Sequence, residues 1–221
     1  MIITIDGPAG AGKSTAARRL AKALNIAHMD TGATYRAATL KALHCGVDME
    51  NGQQLAEIVK GADVRLICCP DGLKVLLDNQ DVSAEIRSQT VTQASYYLAR
   101  SPAVRSVLVE LQRRIGSRLG SFVTEGRDQG SVVFPQADVK FYLDANADVR
   151  ARRRFQELRS AGQQASYDEV LNDIITRDNN DINRSVGPLV KPPDAIVIDS
   201  SHLDIEQTVA EMLKHVGGNL R

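Results

Sequence analysis

At 221 residues, with 43% hydrophobic and 24% charged residues, the chain has the composition of an ordinary globular protein with one substantial core. Its 27 basic residues equal its 27 acidic ones, so no global positive excess argues for nucleic-acid binding, and any phosphate-binding charge has to be local. No apolar run approaches the ~18 residues of a membrane span, nothing resembles a signal peptide, and the three cysteines (Cys45, Cys68 and Cys69) lack CxxC spacing, which argues against a disulfide framework or zinc site and for reduced thiols in a cytoplasmic protein.

In chain order, the first predicted strand is Ile2–Asp6, and GPAGAGKS (7–14) follows it, matching G-x-x-x-x-G-K-[ST] in full between a strand and a helix. Glycines let such a loop curl until successive N–H groups face an anion-sized nest backed by a helix N-terminus. Gly7, Pro8, Ala9, Gly10, Ala11, Gly12, Lys13, Ser14 and Thr15 are the candidate nucleoside-triphosphate site. Lys13 would reach the β- and γ-phosphates and the Ser14 hydroxyl would ligate Mg²⁺. The helix Lys13–Leu24 places Ala17, Leu20, Ala21 and Leu24 on one face. A second strand, 26–30, leads into DTGATYR (30–36) at the carboxyl edge of the sheet, where ligands bind in such folds. There Thr31 is expected to cap the next helix, with Tyr35 and Arg36 one turn on, able to reach an acceptor phosphate. By itself this is equally an ordinary helix start.

The text from 64 to 82 reads as strand, Pro-Asp-Gly turn, strand, Asp-Asn-Gln-Asp turn and short strand, a small antiparallel insert. Ser101-Pro102 opens a helix whose apolar face is Val104, Val107, Leu108, Leu111 and Ile115, with Gly116 as its expected stop. A third strand, 122–125, ends in EGRDQG, a glycine turn carrying Arg127 beside Asp128 at the same sheet edge. Strands at Val139–Asp144 and 195–199 complete a set of five, each closed by an acidic residue. Between those last two lies a charged helical pair, 147–184, with a loop around Gly162 and a capping-box spacing of Ser166 and Glu169.

Strands alternating with helices imply a three-layer α/β fold. With the phosphate loop, an insert after strand two and an arginine-rich helical pair, it looks like the P-loop kinase fold of a nucleotide or small-metabolite kinase: a five-stranded parallel sheet, a small antiparallel insert and a charged helical pair. A GTPase would carry an NKxD-type motif, and none occurs. In the helical pair, Arg150, Arg152, Arg153, Arg154 and Arg159 wrap around the axis, so some are surface charge. Arg177, Asp181 and Arg184 share one face at i, i+4, i+7, with Leu171, Ile174, Ile175 and Ile182 expected on the packing side. That stripe is either an ion-pair ladder or a lid face that grips phosphates. Arg36, Arg127, Arg184 and Lys13 are four cations expected around one cleft. The histidines (His28, His44, His202 and His215) fall in no constellation and read as structural or surface residues.

GPAGAGKS, DTGATYR, EGRDQGSVVFP, RDNNDINRSVGPL and the insert, in this order over nearly the whole chain, resemble the bacterial cytidylate kinases. The resemblance implies transfer of the γ-phosphoryl of ATP to CMP or dCMP with Mg²⁺, by a monomer that binds neither nucleic acid nor membrane. It implies a single kinase domain over 1–221, with an acceptor-nucleotide region at 31–105 (insert near 63–83), a lid at 147–186 and the remainder as core. Arg36, Arg127 and Arg184 correspond to the acceptor-phosphate clamp, with Tyr35 nearby and Thr31 where the family usually has serine. Arg177 and Asp181 correspond to the pentose contacts, and Arg105 and Asp128 to the readers of the cytosine edge. The serine that commonly serves the base from the helix before SPAVR is replaced by Tyr96, which leaves Ser95 as the candidate. Lid closure is expected to bring Arg150 and Arg154 to the triphosphate. Catalytic roles fall to Lys13, Arg36, Arg127, Arg154 and Arg184. The alternatives are a kinase for another small acceptor, such as UMP, AMP or shikimate, and a regulatory or RNA-binding protein that uses ATP as a switch.

Overall fold

A computed structural model describes residues 1–69 and 72–218. Its strands are β1 (Ile2–Asp6), β2 (Ala27–Asp30), β3 (Val64–Cys69), β4 (Gly72–Leu77), β5 (Gln80–Asp81), β6 (Phe122–Gly126), β7 (Val139–Asp144) and β8 (Ile196–Asp199). Its helices are α1 (Lys13–Leu24), α2 (Thr31–His44), α3 (Gly52–Lys60), α4 (Gln89–Arg100), α5 (Pro102–Leu119), α6 (Ala147–Ser160), α7 (Tyr167–Asn183) and α8 (Ile205–Gly218). The five expected strands form one sheet in the order β2-β6-β1-β7-β8, and β3-β4-β5 form a second, three-stranded sheet. β1 pairs in parallel with β7, and β7 with β8. No described helix is long and apolar enough to cross a membrane.

The chain divides into two compact units, Met1–Ile26 with Val123–Arg221, and Ala27–Phe122. In the first, Ile3, Ile5, Phe141 and Leu143 from the central strands pack with Ala16, Ala17 and Leu20 of α1 and with Met212 and Val216 of α8. Residues of both parities are buried along β1, as expected of a parallel strand covered on both faces. Each such aliphatic or aromatic side chain contributes roughly 1.5–3 kcal/mol. A smaller cluster, Ala151 with Val170 and Ile174, joins α6 to α7. In the second unit, β3 and β4 pair antiparallel from Val64 opposite Leu77, and Asp78 and Asn79 take the left-handed conformation in the turn to β5. The expected Pro-Asp-Gly turn falls on residues 70–71, and that turn and the side chains of Cys68 and Cys69 lie outside the described residues.

Four local expectations are corrected. α5 runs through Gly116, which is buried, and ends only before Gly120 (φ 72). A mid-helix glycine costs only about 1 kcal/mol, which the continuing packing of Leu111 and Ile115 offsets. Asp30, not Thr31, caps α2, its Oδ1 accepting from Ala33 N at 2.9 Å. A carboxylate is the stronger acceptor at a helix N-terminus. Ser166 occupies the cap position of α7, but its side chain makes no cap bond. Finally, Ile175 and Ile182 are exposed, because the buried stripe runs through Val170 and Ile174 and the residue after Ile174 is turned about 100° away.

Candidate active site

The loop 7–12 connects β1 to α1 by close backbone packing. A Cβ at Gly7 would stand 2.0 Å from Leu143 O, and Gly12, before the helix, has φ 87. Only glycine meets both demands. No side chain caps α1 and no acidic residue of the helix lies in its first turn, which leaves its leading N–H groups without a side-chain acceptor of their own helix, as an anion-binding helix start requires. Lys13 folds back over the loop, its Nζ donating to Pro8 O at 2.7 Å. Burial, followed by the charge of Arg127, lowers its pKa to about 7, against the pull of Glu125, Asp181 and Asp6.

Ser14 Oγ donates to Glu125 Oε1 at 2.8 Å. Mg²⁺ usually keeps several waters and takes few protein ligands beside substrate phosphates. A hydroxyl beside a carboxylate fits that habit, and no group of three or more His, Cys, Asp or Glu residues among the described residues suggests a resident metal. Sequence reasoning named Ser14 and did not name Glu125 beside it.

It also missed Asp6. Asp6 Oδ1 accepts from Gln129 N at 2.8 Å and Oδ2 from Gly130 N at 2.7 Å. Burial raises its pKa to about 6, against the two N–H groups that hold it down. The end of β1 thereby anchors the turn after β6. That turn is a single π-type turn, with Val133 N on Asp128 O at 3.1 Å and Phe134 N on Gln129 O at 2.7 Å. Such turns recur where a side chain has to be aimed.

From this turn, Arg127 Nε donates to Asp181 Oδ2 at 2.6 Å. Arg184 lies 3.8 Å from the other oxygen of Asp181 and 3.9 Å from Asp128 Oδ1. Its Nε donates to Gly187 O. Arg177 keeps an exposed side chain, and crowding by protein with the nearby Arg127 charge holds it below its ordinary pKa. Lys13, Arg127, Asp128, Arg177, Asp181 and Arg184 therefore stand together in the first unit, and four of the six are cations.

The α6 arginines divide by face. Arg150 is buried, donating from Nε to Ala145 O at 2.8 Å and from a terminal nitrogen to Ala9 O at 2.7 Å. Arg153 binds the carbonyls of Ser200 (2.6 Å) and Leu203 (3.2 Å). Arg154 is exposed beside Glu157 at 3.1 Å.

In the second unit, Arg36 lies 3.2 Å from Asp30 Oδ2, and its buried Nε has no partner among the described residues. Arg105, buried on α5, donates to the Tyr35 hydroxyl at 2.8 Å. Thr31 is buried in the first turn of α2. Ser95 turns towards α2, donating to Val91 O at 2.7 Å and accepting from Thr39 at 3.3 Å. Tyr96 is half exposed, with its ring edge-on to Tyr97 at 5.9 Å and the Arg100 guanidinium 5.2 Å above it.

The chain is similar to known proteins over nearly its whole length. The family pattern described as cytidylate kinase matches residues 3–217. Among similar proteins, the cytidylate kinase of Carboxydothermus hydrogenoformans is 43% identical over 98% of this chain and 97% of its own. That of Pelotomaculum thermopropionicum is 46% identical, covering 99% and 97%, and that of Klebsiella pneumoniae is 44% identical, covering 97% and 94%. Among solved structures, TT1252 from Thermus thermophilus superposes with a TM-score of 0.53 at 18% identity, covering 100% of this chain and 98% of that one, a likeness of fold alone. On its sequence over nearly its whole length, the chain belongs to the cytidylate kinase family.

Proposed function

We propose that the chain transfers the γ-phosphoryl group of ATP to CMP and dCMP, giving CDP and dCDP, by Mg²⁺-assisted in-line transfer in pyrimidine nucleotide metabolism. The carrying observation is the Arg127-Asp128 turn, hung on Asp6 and facing Asp181 and Arg184 beside the phosphate loop. ATP would lie on the backbone N–H groups of residues 7–15, with Lys13 on the β- and γ-phosphates. Ser14, supported by Glu125, would hold Mg²⁺, which would supply positive charge to offset that of the phosphates. The attacking oxygen of CMP belongs to an ionised phosphate, so no general base is needed. Alignment and charge neutralisation by Arg36, Arg127 and Arg184 remain. Arg177 and Asp181 would hold the pentose. We further read 31–105 as the acceptor-nucleotide region and 147–186 as a lid that closes over ATP and keeps water out, in a cytoplasmic, monomeric enzyme.

Cytosine presents an amino donor where uracil presents a carbonyl. Asp128 accepts from that amino group and Arg105 donates to N3 or O2, whereas UMP would set a carbonyl oxygen against the carboxylate. An unsatisfied buried polar group costs about 1–3 kcal/mol, roughly tenfold to a hundredfold in selectivity. Release of ADP should therefore be rapid with CMP and dCMP and weak with UMP, AMP and GMP. In Asp128→Ala the preference for CMP over UMP should collapse by about that factor. An unchanged ratio would remove Asp128 from the base site, and no turnover with any acceptor would remove the kinase reading.

Arg154 is exposed, and among the described residues its ion pair is with Glu157, three residues on. In Arg154→Ala, kcat should fall by about 10-fold or more while the unfolding midpoint moves little. An unchanged kcat would take Arg154 out of the mechanism.

A further inference from the structure

Asp178 follows Arg177 on α7 but is turned about 100° from it. It continues the Val170, Ile174 spacing, a buried stripe in which a carboxylate is out of place unless it is fully engaged. It is engaged on both oxygens. Oδ1 accepts from Ala9 N at 3.0 Å, and Oδ2 lies 2.7 Å from a terminal nitrogen of Arg150. That same nitrogen donates to Ala9 O at 2.7 Å, and Arg150 Nε fixes the guanidinium to Ala145 O at 2.8 Å. The side chains of Asp178 and Arg150 are 14% and 6% exposed, so the pair works at low dielectric. Beside it, a Cβ on Gly10 would come within 3.3 Å of Arg150 Cβ and 3.7 Å of Ile174 Cδ1.

The N–H and the C=O of one phosphate-loop residue are thus both held from the helical pair, one by an anion and one by a cation that also hold each other. We infer that Asp178 is a positioning residue for the ATP site, setting the entrance of the phosphate loop through Ala9 and Arg150. The inference rests on the reading of residues 7–15 as the ATP site. It gives α7 two tasks: Arg177, Asp181 and Arg184 towards the acceptor, and Asp178 towards the donor loop. It also gives Arg150 a different task from Arg154. The buried guanidinium acts on ATP by shaping the backbone that binds it.

The test compares Asp178→Ala and Asp178→Asn with the wild-type enzyme, reading ATP affinity by calorimetry without acceptor, KM for ATP and for CMP, kcat, and thermal unfolding. Asp178→Ala should weaken ATP binding and raise KM for ATP by about 10- to 100-fold, the scale of a displaced loop, with KM for CMP within about threefold. Asp178→Asn keeps an oxygen for Ala9 N and loses the charge opposite Arg150, so it should recover most of that loss. ATP affinity within about twofold of wild type in both variants overturns the inference, as does an equal weakening of ATP and CMP. If the alanine variant does not fold, the asparagine variant decides: a several-fold rise in KM for ATP alone supports the role, and no rise overturns it. A wild-type enzyme that does not bind ATP overturns the reading of the loop itself, and the positioning role falls with it.

Discussion

Replacing Lys13 by methionine should lower kcat with CMP by about 10³-fold and yet make the protein more stable at pH 6.5. The side chain is 5% exposed and begins α1. Its amine ordinarily titrates at 10.5 and in the fold at about 7, chiefly through burial and the charge of Arg127. The sign follows from proton counting. Between pH 7 and 10.5 the unfolded chain holds this proton and the folded chain does not, so stability rises with pH across that window. Below pH 7 the folded protein carries the charged amine at its full cost, on the order of 5 kcal/mol for a shift of this size. Methionine fills the same volume without the charge. The variant should therefore melt higher at pH 6.5, and its advantage should shrink as the pH is raised towards 10. A triphosphate bound beside Lys13, as proposed, would reverse the imbalance by supplying negative charge. A kcat within tenfold of wild type would remove Lys13 from the transfer step; an unchanged melting temperature at pH 6.5 would show that its charge is not strained in the free enzyme.

The strands were legible because a parallel strand buried on both faces is a short apolar run, and 2–6, 122–125 and 139–144 read that way directly. Edges moved by a single residue, as at Ala27 and Ile196, where hydrogen bonding and not composition sets the limit. The phosphate loop was legible because its backbone demands glycine at fixed positions. The partners of that loop were not. Asp6 reaches residues 123 and 124 positions away in sequence, and only the sheet order brings them close. The acid that closes a buried strand was visible as a pattern, and burial of its carboxylate was the signal left unused. Helical spacing showed that Arg150 to Arg154 point in several directions, but a wheel has no origin. The choice of Arg150 as the inward residue is made by Ala145 and Ala9, both outside its own helix. Asp178 stands four residues after Ile174, but the spacing alone does not separate it from Asp181, seven after Ile174; its contacts with Ala9 and Arg150 do.

Removing Asp181 should be the most damaging single change on the acceptor side, because three cations depend on it. Arg127 donates to it at 2.6 Å, Arg184 lies 3.8 Å away, and its charge helps Lys13 keep a proton. In Asp181→Ala, Arg127 and Arg184 lose the carboxylate between them, and Lys13 keeps Glu125 and Asp6 against the charge of Arg127. Truncating one partner of a buried, hydrogen-bonded charge pair costs about 2–5 kcal/mol; this pair is partly exposed, so the low end applies and KM for CMP should rise by about 10- to 100-fold. Asp181→Asn keeps an oxygen for Arg127 and for a pentose hydroxyl and loses only the charge, and should lose about tenfold. The pH profile separates electrostatics from simple loss of a contact. The kcat/KM for ATP reports groups of the free enzyme, and it should fall as the pH rises through the Lys13 value near 7. Without the Asp181 charge, Lys13 loses its proton more easily, so that fall moves to lower pH. A limb that stays in place, with KM for CMP within threefold of wild type, would mean that Asp181 neither orders the arginines nor holds the lysine charged.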